Sequence, residues 1–376
     1  MQVSAGNPWA TTRTLLLLAA TDTAAVEGIS AAGASPQSRR QTAAADAELL
    51  LGGPLAERLH ALPPLPAGVS PALISHVVLQ QLGLLSRTLV VDLGCPVAPA
   101  IPHLRLPDQE SAGPARCLST GAAMPLARAS ALLERGLRWG AQLATVRGLE
   151  AAPPSPLLLA ECVPGGTTTA LAVLLGLGVD ASGLVSGSLR QPAHALKAGL
   201  VDQGLDAAGW LPRSGGAAPD PLAVVAALGD PMQPLAAGLV LAAAAHGLPL
   251  VLAGGSQMAA VWALALALAT PLERPGLVGG VELATTAWVV EEAGSDLPLL
   301  LERIALRFGL EQPLPLRVAQ LRFGDCRSQA LRDYERGYVK EGVGAGGLAV
   351  LWERCGQSPQ ALAAACDGLC AQWLGA

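Results

Sequence analysis

The segment Glu161-Cys-Val-Pro-Gly-Gly-Thr-Thr-Thr169 lies between an apolar run of strand length and an apolar run of helical length. Gly165 and Gly166 have no Cβ, so a ligand can approach the backbone closely there. The amides of residues 167–169 would be unpaired at a helix N-terminus, where the helix dipole favours an anion. The pattern is typical of a phosphate site, and an ordinary tight turn with a threonine cap fits it equally well.

This segment differs from two common phosphate-binding motifs. It lacks the Gly-Lys-Ser/Thr of a Walker loop, and it is not Gly-x-Gly-x-x-Gly. Glu161 ends the strand-like run, so its side chain is expected to face the ligand crevice. Bonding to loop amides or capping a helix is the simpler role for such a carboxylate.

A second informative segment is Lys340-Glu341-Gly-Val-Gly-Ala-Gly-Gly347, which precedes an apolar helical run, Leu348 to Trp352. The glycines place the Glu341 carboxylate on a tightly turning backbone. If the site excludes water, burial raises the pKa of this carboxyl and suits it to general-base work. On sequence chemistry alone, a solvated Lys-Glu pair beside a flexible loop fits better.

Two further groups of residues are candidates. The turn Gly254-Gly-Ser-Gln257 follows another strand-like run and precedes another helical run. His194 lies between Arg190 and Lys197 along the chain and could contact an anion there. A lone surface or core histidine is the alternative. No Ser-His-Asp or Cys-His arrangement follows from spacing, and the sequence indicates no metal site.

Composition excludes several classes of protein. The chain of 376 residues is 51% hydrophobic and 14% charged, which allows a sizeable core. A net charge of −5 without a basic and aromatic cluster disfavours nucleic-acid binding. The seven cysteines are scattered without Cys-x-x-Cys, which argues against zinc and predicts free thiols in a reducing cytoplasm.

Membrane insertion is also disfavoured. The uncharged region Pro231 to Leu272 is interrupted at His246-Gly-Leu-Pro249 and at Gly254-Gly-Ser-Gln257. These breaks divide it into a helix, a strand and another helix, each too short to span a bilayer. Near the N-terminus, Leu15 to Ala20 is followed at once by acidic residues, so we interpret it as a buried strand and not a signal peptide.

Strand-like and helix-like runs alternate along the chain. The predicted strands are Thr14 to Ala20, Arg87 to Asp92, Pro156 to Glu161, Leu248 to Ala253 and Gly276 to Ala284. The predicted helices include Ala43 to Leu51, Leu126 to Leu143, Thr168 to Leu177, Leu222 to Ala227, Pro234 to His246, Gln257 to Ala269 and Leu297 to Phe308. Proline-rich loops are expected at Leu62 to Pro71, Pro96 to Pro107 and Ala151 to Pro156.

This alternation predicts an α/β fold: a doubly wound, mainly parallel sheet with helices on both faces and a smaller accessory domain. Residues 1–150 are irregular and would contribute the first strands and the accessory domain. Residues 151–376 are regular and would form the main nucleotide-binding region. In such sheets ligands bind beyond the carboxyl ends of the strands, where the glycine-rich turns are expected.

The segments at 161–172 and 338–347 together resemble the nicotinate-nucleotide:dimethylbenzimidazole phosphoribosyltransferase family, and in particular its divergent branch. Further matches are Gly28-Ile-Ser-Ala-Ala-Gly33, Thr42-Ala-Ala-Ala-Asp-Ala-Glu48, Val91-Asp-Leu-Gly94 and Gly254-Gly-Ser-Gln-Met-Ala-Ala260. The resemblance covers nearly the whole chain. The better-studied branch has Gly-Ile-Gly-Asn-Thr-Thr where this chain has Val-Pro-Gly-Gly-Thr-Thr.

The resemblance implies an activity and a site. The family transfers the phosphoribosyl group of nicotinate mononucleotide to a purine or benzimidazole-type base, without a cofactor or metal, for the lower ligand of cobamides. The family's base is the glutamate of a Glu-Gly-x-Gly turn, which here is Glu341. The implied phosphate- and ribose-binding residues are Glu161, Gly165, Gly166, Thr167, Thr168, Thr169, Gly254, Gly255 and Ser256, with Lys340, Gly342, Gly344, His194 and Lys197 as auxiliary residues. Met258 is expected in an apolar slot for the incoming base.

Two alternatives remain open at this point. One is a sister transferase that uses another base such as adenine, and the other is a catalytically inactive nucleotide-binding regulatory protein of the same fold. Glu341 discriminates between the classes, because a pure binding module has no need of a buried carboxylate beside glycines. A cytoplasmic homodimer without nucleic-acid or membrane partners is expected.

Overall fold

A computed structural model describes residues 6–54, 59–63, 65–145, 154–210 and 219–374. Seven strands form one parallel sheet in the order β3-β2-β1-β4-β5-β6-β7. The strands are β1 (Arg13–Leu18), β2 (Thr88–Asp92), β3 (Leu104–Arg105), β4 (Leu157–Cys162), β5 (Leu250–Ala253), β6 (Val281–Thr286) and β7 (Leu316–Ala319). This sheet confirms the predicted fold class.

Helices connect these strands. They are α1 (Pro36–Gly52), α2 (Ala72–Gln81), α3 (Leu126–Thr145), α4 (Gly166–Gly176), α5 (His194–Ala207), α6 (Pro221–Leu228), α7 (Met232–His246), α8 (Ser256–Leu268), α9 (Gly276–Gly279), α10 (Ala287–Val290), α11 (Leu297–Phe308), α12 (Gln329–Glu335), α13 (Ala345–Arg354) and α14 (Pro359–Leu374).

Each face of the sheet carries its own core. Leu15 and Leu17 of β1 pack into the core formed with α3, α4, α6, α7, α8 and α11. Leu16 and Leu18 point the other way, into the core formed with α1, α2, α13 and α14. Because successive side chains of a strand alternate between faces, a continuous run of leucines is what a strand buried on both faces needs.

The predicted elements differ from the observed ones at places with weak local signals. The first four predicted strands agree with β1, β2, β4 and β5 to within two residues at each end. The fifth was placed too early, because Gly276–Gly279 is helical and the strand begins at Val281. The short strands β3 and β7 were missed, β3 within an expected proline-rich loop. Helix α1 begins at Pro36 with a capping box at Ser35, ahead of the apolar residues that predicted it.

The uncharged region 231–272 divides as its breaks predict, into α7, β5 and α8. Within the described ranges, no helix is long and apolar enough to cross a membrane. Trp262 of α8 is fully buried in the core. The apolar surface of these helices is therefore used in packing against the sheet and the neighbouring helices.

The strand order reverses between β1 and β4, which pair with each other directly. Strands from the N-terminal third extend the sheet on one side of this point, and strands from the rest of the chain extend it on the other. A crevice opens beyond the carboxyl ends of the strands at such a reversal. The separation into regions 1–150 and 151–376 stays a prediction.

Candidate active site

A cavity of about 360 Å³ lies at the carboxyl edge of the sheet. Its walls come from segments that follow β1, β4 and β5 and from the turn that precedes α13. Residues 62–63, 65–71 and 186–188, together with Val289 and Trp373, complete the described part of the wall. The topology therefore brings three of the predicted glycine-rich turns to one place, because parallel strands end at one edge of their sheet.

The N-terminus of α4 forms one wall of this cavity. Gly165 has a left-handed backbone (φ 81°), and a Cβ on it would lie 3.0 Å from the main-chain nitrogen of Ala24. Gly166 begins the helix, and both glycines line the cavity together with Thr167. No side chain caps this helix. The close approach of backbone to ligand that the sequence predicts is thus available here.

The last two threonines of the motif face away from the cavity. Thr168 and Thr169 are fully buried. The Thr169 hydroxyl donates to the carbonyl of Gly166 and to Oδ2 of Asp230, at 2.9 and 2.6 Å. Of the three predicted threonine hydroxyls, those of Thr168 and Thr169 are therefore directed into the protein interior, and only Thr167 borders the cavity.

Glu161 lies at the end of β4 with 5% of its surface exposed, and it lines the cavity. Its Oε2 accepts from the main-chain N–H of Val163 and its Oε1 from Nε2 of Gln257, both at 2.9 Å. Burial raises the pKa of this carboxyl to about 8, and the nearby Asp230 adds to the effect. Glu161 thus bonds a loop amide, as the simpler interpretation holds, and also faces the crevice.

Glu341 is held by four donors. Its Oε1 accepts from the main-chain N–H groups of Gly342 and Gly346, at 3.0 and 3.1 Å. Its Oε2 accepts from the N–H of Thr286 at 3.0 Å and from the hydroxyl of Thr285 at 3.1 Å. Burial nevertheless raises the pKa of Glu341, since the loss of hydration outweighs these bonds. As a whole residue Glu341 is half-buried, and it lines the cavity.

The turn that carries Glu341 has an unusual backbone. Val339, Lys340 and Val343 all have positive φ, at 65°, 69° and 53°, which costs energy for side chains with a Cβ. Gly346 is close-packed, because a Cβ there would lie 2.4 Å from Oε2 of Glu341. The surrounding structure holds this strained turn so that the carboxylate stands at the cavity.

Lys340 and Glu341 do not form the solvated pair that their adjacency suggested. Lys340 is 1% exposed, and its Nζ donates to Oε1 of Glu292 at 2.7 Å and to the carbonyl of Leu189 at 2.6 Å. Glu292 in turn accepts from the hydroxyls of Ser186 and Ser295. Lys340 therefore lines the cavity as part of a buried ion pair, on a different network from Glu341.

The third turn contributes Gly255, Ser256 and Gln257 to the cavity wall. Gly254 lies behind them, where a Cβ would come within 3.0 Å of the Met258 side chain. Met258 is fully buried in the core of α8, so the structure places it away from the expected base slot. In the Glu341 turn, Gly342 lines the cavity and Gly344 instead packs against Ala160 of β4.

The two remaining auxiliary residues lie apart from the cavity wall. Nε2 of His194 bonds the carbonyl of Gly294, so its ring is engaged outside the cavity. Lys197 is 1% exposed, and its Nζ donates to the carbonyl of Ser186 at 2.7 Å. Burial lowers the pKa of Lys197 to about 8, and nearby Glu292 opposes that shift. Lys197 stands directly behind the wall segment 186–188.

Three features of the site escaped sequence reasoning. The first is an apolar wall formed by Leu62, Pro63, Leu65, Pro66, Val69, Pro71 and Trp373. Its only sequence signal is an unusual number of large apolar residues in a loop. The second is the wall segment Ser186-Gly187-Ser188. The third is Asp230, which does not line the cavity but bonds Thr169; it is fully buried, and burial raises its pKa to about 6. Neither of these two carries a motif.

The cysteines and acidic residues offer no metal centre in the part of the chain that the structure describes. No group of three or more His, Cys, Asp or Glu side chains there is arranged to hold a metal ion. All seven cysteines are free thiols.

Known proteins resemble this chain over most of its length. A model of the phosphoribosyltransferase family matches residues 80–285. The UPF0284 protein of Prochlorococcus marinus strain MIT 9313 is 52% identical, covering 96% of this chain and 86% of that one. This chain belongs to the phosphoribosyltransferase family. A second family member, the UPF0284 protein of Parasynechococcus marenigrum strain WH8102, is 53% identical over 94% of this chain and 85% of its own.

Solved structures show the same fold for this phosphoribosyltransferase. The crystal structure of CobT from Thermus thermophilus is similar with a TM-score of 0.54 and 21% identity, covering 97% of this chain and 86% of that chain. A structure of nicotinate-nucleotide-dimethylbenzimidazole phosphoribosyltransferase from the same organism gives 0.53 and 20%, with 97% and 85% covered. The α4 and Gly254 turns lie inside the matched family range, and Glu341 lies beyond it.

Proposed function

We propose that this phosphoribosyltransferase moves the 5-phosphoribosyl group of nicotinate mononucleotide to a ring nitrogen of a base, dimethylbenzimidazole or a similar ring. The product is an α-linked riboside phosphate of the kind used as a cobamide lower ligand. The observation that carries this proposal is the presence of Glu341 and the N-terminus of α4 in one cavity. Glu341 is suited to accept a proton, and the N-terminus of α4 is suited to bind a phosphate.

The phosphate is proposed to bind at residues 165–167. The bare Cα atoms of Gly165 and Gly166 let an anion approach the first turn of α4, where the helix dipole favours negative charge. The segment 186–188, also on the cavity wall, offers the Ser188 hydroxyl, with the Lys197 ammonium behind it; the Ser186 hydroxyl is already bonded to Glu292. These two segments would fix the 5′-phosphate and so orient the ribose.

The nicotinate ring and the incoming base are proposed to lie between an apolar part of the wall and a part that carries carboxyl groups. Leu62, Pro66 and Trp373 supply apolar surface for flat aromatic rings. The carboxyl groups of Glu161 and Glu341 stand elsewhere on the wall, and the only Lys or Arg among the described lining residues, Lys340, is paired with Glu292. An acidic wall favours the positively charged pyridinium of nicotinate mononucleotide and the positive charge that develops on the sugar.

In the proposed reaction, the base nitrogen attacks the anomeric carbon as the bond to nicotinate breaks. The electron pair of that bond returns to the pyridinium ring, which neutralises it and makes nicotinate a good leaving group. The proton lost by the azole goes to Glu341. Of the four donors to Glu341, the Thr285 hydroxyl is the one that can rotate, so it can release Oε2 for the proton.

A base panel tests this function. Purified protein is given nicotinate mononucleotide with dimethylbenzimidazole, benzimidazole or adenine, and nicotinate release is followed together with riboside phosphate. The proposal expects one nicotinate for each riboside phosphate. Turnover with adenine alone would identify the sister transferase. Binding of nicotinate mononucleotide without release for any base would favour the inactive regulatory protein and overturn the proposal.

The resemblance also leads us to propose a homodimer in the cytoplasm. Sedimentation velocity at micromolar concentration tests the oligomeric state, and a monomer would contradict it.

A further inference from the structure

The side-chain amide of Gln257 lies between Glu161 and the first residue of α4. Its Nε2 donates to Oε1 of Glu161 at 2.9 Å. Its Oε1 is buried and has no hydrogen-bond partner among the described residues. A Cβ on Gly166 would lie 1.9 Å from this oxygen, so the missing side chain of Gly166 provides the space in which the amide stands.

We propose that Gln257 is a positioning residue that holds the Glu161 carboxyl at the cavity in both of its protonation states. The ionised carboxylate accepts from Nε2, as observed. A half-turn of the amide would present Oε1 instead, which accepts from a protonated carboxyl. Since one amide atom faces Gly166 unpaired in either orientation, the turn gives up no hydrogen bond.

The groups around Glu161 make this half-turn of the Gln257 amide relevant near neutral pH. Asp230, at the start of α7, and Glu341, before α13, face Glu161 with like charge, and the Cys162 thiol is its neighbour on β4. Burial and these charges raise the pKa of Glu161 to about 8, against the N–H of Val163 and the amide of Gln257. Both protonation states are therefore populated around neutrality. The N–H of Val163 can bond Oε2 in either state, so the proton of a neutral Glu161 is expected on Oε1, toward Gln257.

The expected effect on turnover rests on the proposed function. The titration of Glu161 is a second readout, and it does not depend on that function. Gln257→Met keeps the length of the side chain and removes the donor. Both protonation states of Glu161 lose their bond to the amide, and the charge-assisted bond to the ionised state is the stronger of the two. We therefore expect Glu161 to titrate about one pH unit higher. With nicotinate mononucleotide and an accepted base, kcat should fall ~10- to 100-fold while KM changes little.

The titration is read by carbon-13 NMR of protein labelled at the glutamate carboxyls, with Glu161 assigned by its loss in Glu161→Gln. Gln257→Glu adds a pH signature that a merely structural role would not produce. The new carboxyl can donate to Glu161 only while it is protonated, so activity should recover toward acid pH and disappear as it ionises. Gln80→Met, at an exposed glutamine in the last turn of α2, is the control and should match the wild type.

An unchanged titration of Glu161 in Gln257→Met would overturn the inference. If that variant does not fold, Gln257→Asn retains the amide, shortens its reach and should give the same upward shift. Absence of nicotinate release by the wild type would overturn the proposed function instead. The NMR titration would still decide whether Gln257 holds Glu161.

Discussion

The main-chain N–H of Val343 donates to the main-chain carbonyl of Glu161, 3.1 Å away. This bond ties the turn that carries Glu341 to the end of β4. The Ser75 hydroxyl holds the same turn from the other side, through a bond of 2.9 Å to the carbonyl of Val343. The two cavity glutamates are therefore placed relative to each other by contacts of the main chain. Replacing either side chain should leave this frame in place.

Replacement of Glu341 by glutamine should lower turnover ~10²–10⁴-fold, the usual worth of a general base. Affinity for nicotinate mononucleotide should fall far less than turnover, because residues 165–167, where the phosphate is proposed to bind, lie on a different element. The substitution should also destabilise the fold. Each carboxylate oxygen accepts from two donors, and the NH₂ that replaces one oxygen cannot accept from them. This costs about 1–3 kcal/mol of the unfolding free energy.

Steady-state kinetics and calorimetry separate these effects, and urea unfolding measures the loss of stability. A base that needs to lose no proton should show a smaller effect of the substitution. Wild-type turnover by Glu341→Gln with a protonated azole would contradict the proposed base.

Replacement of Gly166 by valine should abolish nucleotide binding. The new Cβ would meet Oε1 of Gln257 at 1.9 Å and the Val163 Cβ at 3.0 Å, so the first turn of α4 or the amide must move. Calorimetry with nicotinate mononucleotide measures the loss. Gly199→Ala is the matched control, because its Cβ meets nothing within 4 Å on helix α5. Equal affinity in Gly166→Val would remove residues 165–167 from the site.

Replacement of Lys340 by methionine should act mainly on stability. It leaves Glu292 buried with 4% of its side chain exposed and without its cation, at a cost of about 3–5 kcal/mol in unfolding free energy. Urea unfolding checks this. Arg138→Met breaks the exposed pair with Glu134 and should cost less than about 1 kcal/mol. A small effect at Lys340 together with a loss of turnover like that of Glu341→Gln would instead give Lys340 a role in catalysis.

Stability should fall as pH rises through the range set by Glu161. Its pKa is raised from 4.5 to about 8 in the folded protein, so the folded state holds a proton that the unfolded state releases. The unfolding free energy therefore decreases between about pH 4.5 and pH 8. Glu161→Gln removes this proton uptake and should flatten the profile. Urea unfolding of both proteins across this range tests it, and identical slopes would contradict a raised pKa.

Much of the fold could be predicted because its signals are local. Runs such as Leu157 to Cys162 are apolar at nearly every position, which suits a strand buried on both faces. Glycine-rich turns after β4 and β5 predicted that ligand contacts would gather at one edge of the sheet, and residues 165–167 and 255–257 do line one cavity. Where the local signal was short or polar, as in β3, β7 and the first turns of α1, the elements were missed.

The amino-acid sequence by itself determined the parallel sheet and indicated the edge where the candidate site lies, because these follow from strand length, residue alternation and glycine. Glu161 and Glu341 were singled out as site residues by the family resemblance, since sequence chemistry alone favoured simpler roles for both. Only the tertiary structure decided what each side chain does there. Lys340 and Glu341 are adjacent, yet one pairs with Glu292 and the other with Thr285, Thr286 and two glycine amides. The physical reason is that burial and hydrogen-bond partners depend on residues distant along the chain, and these contacts set which groups ionise and which face the cavity.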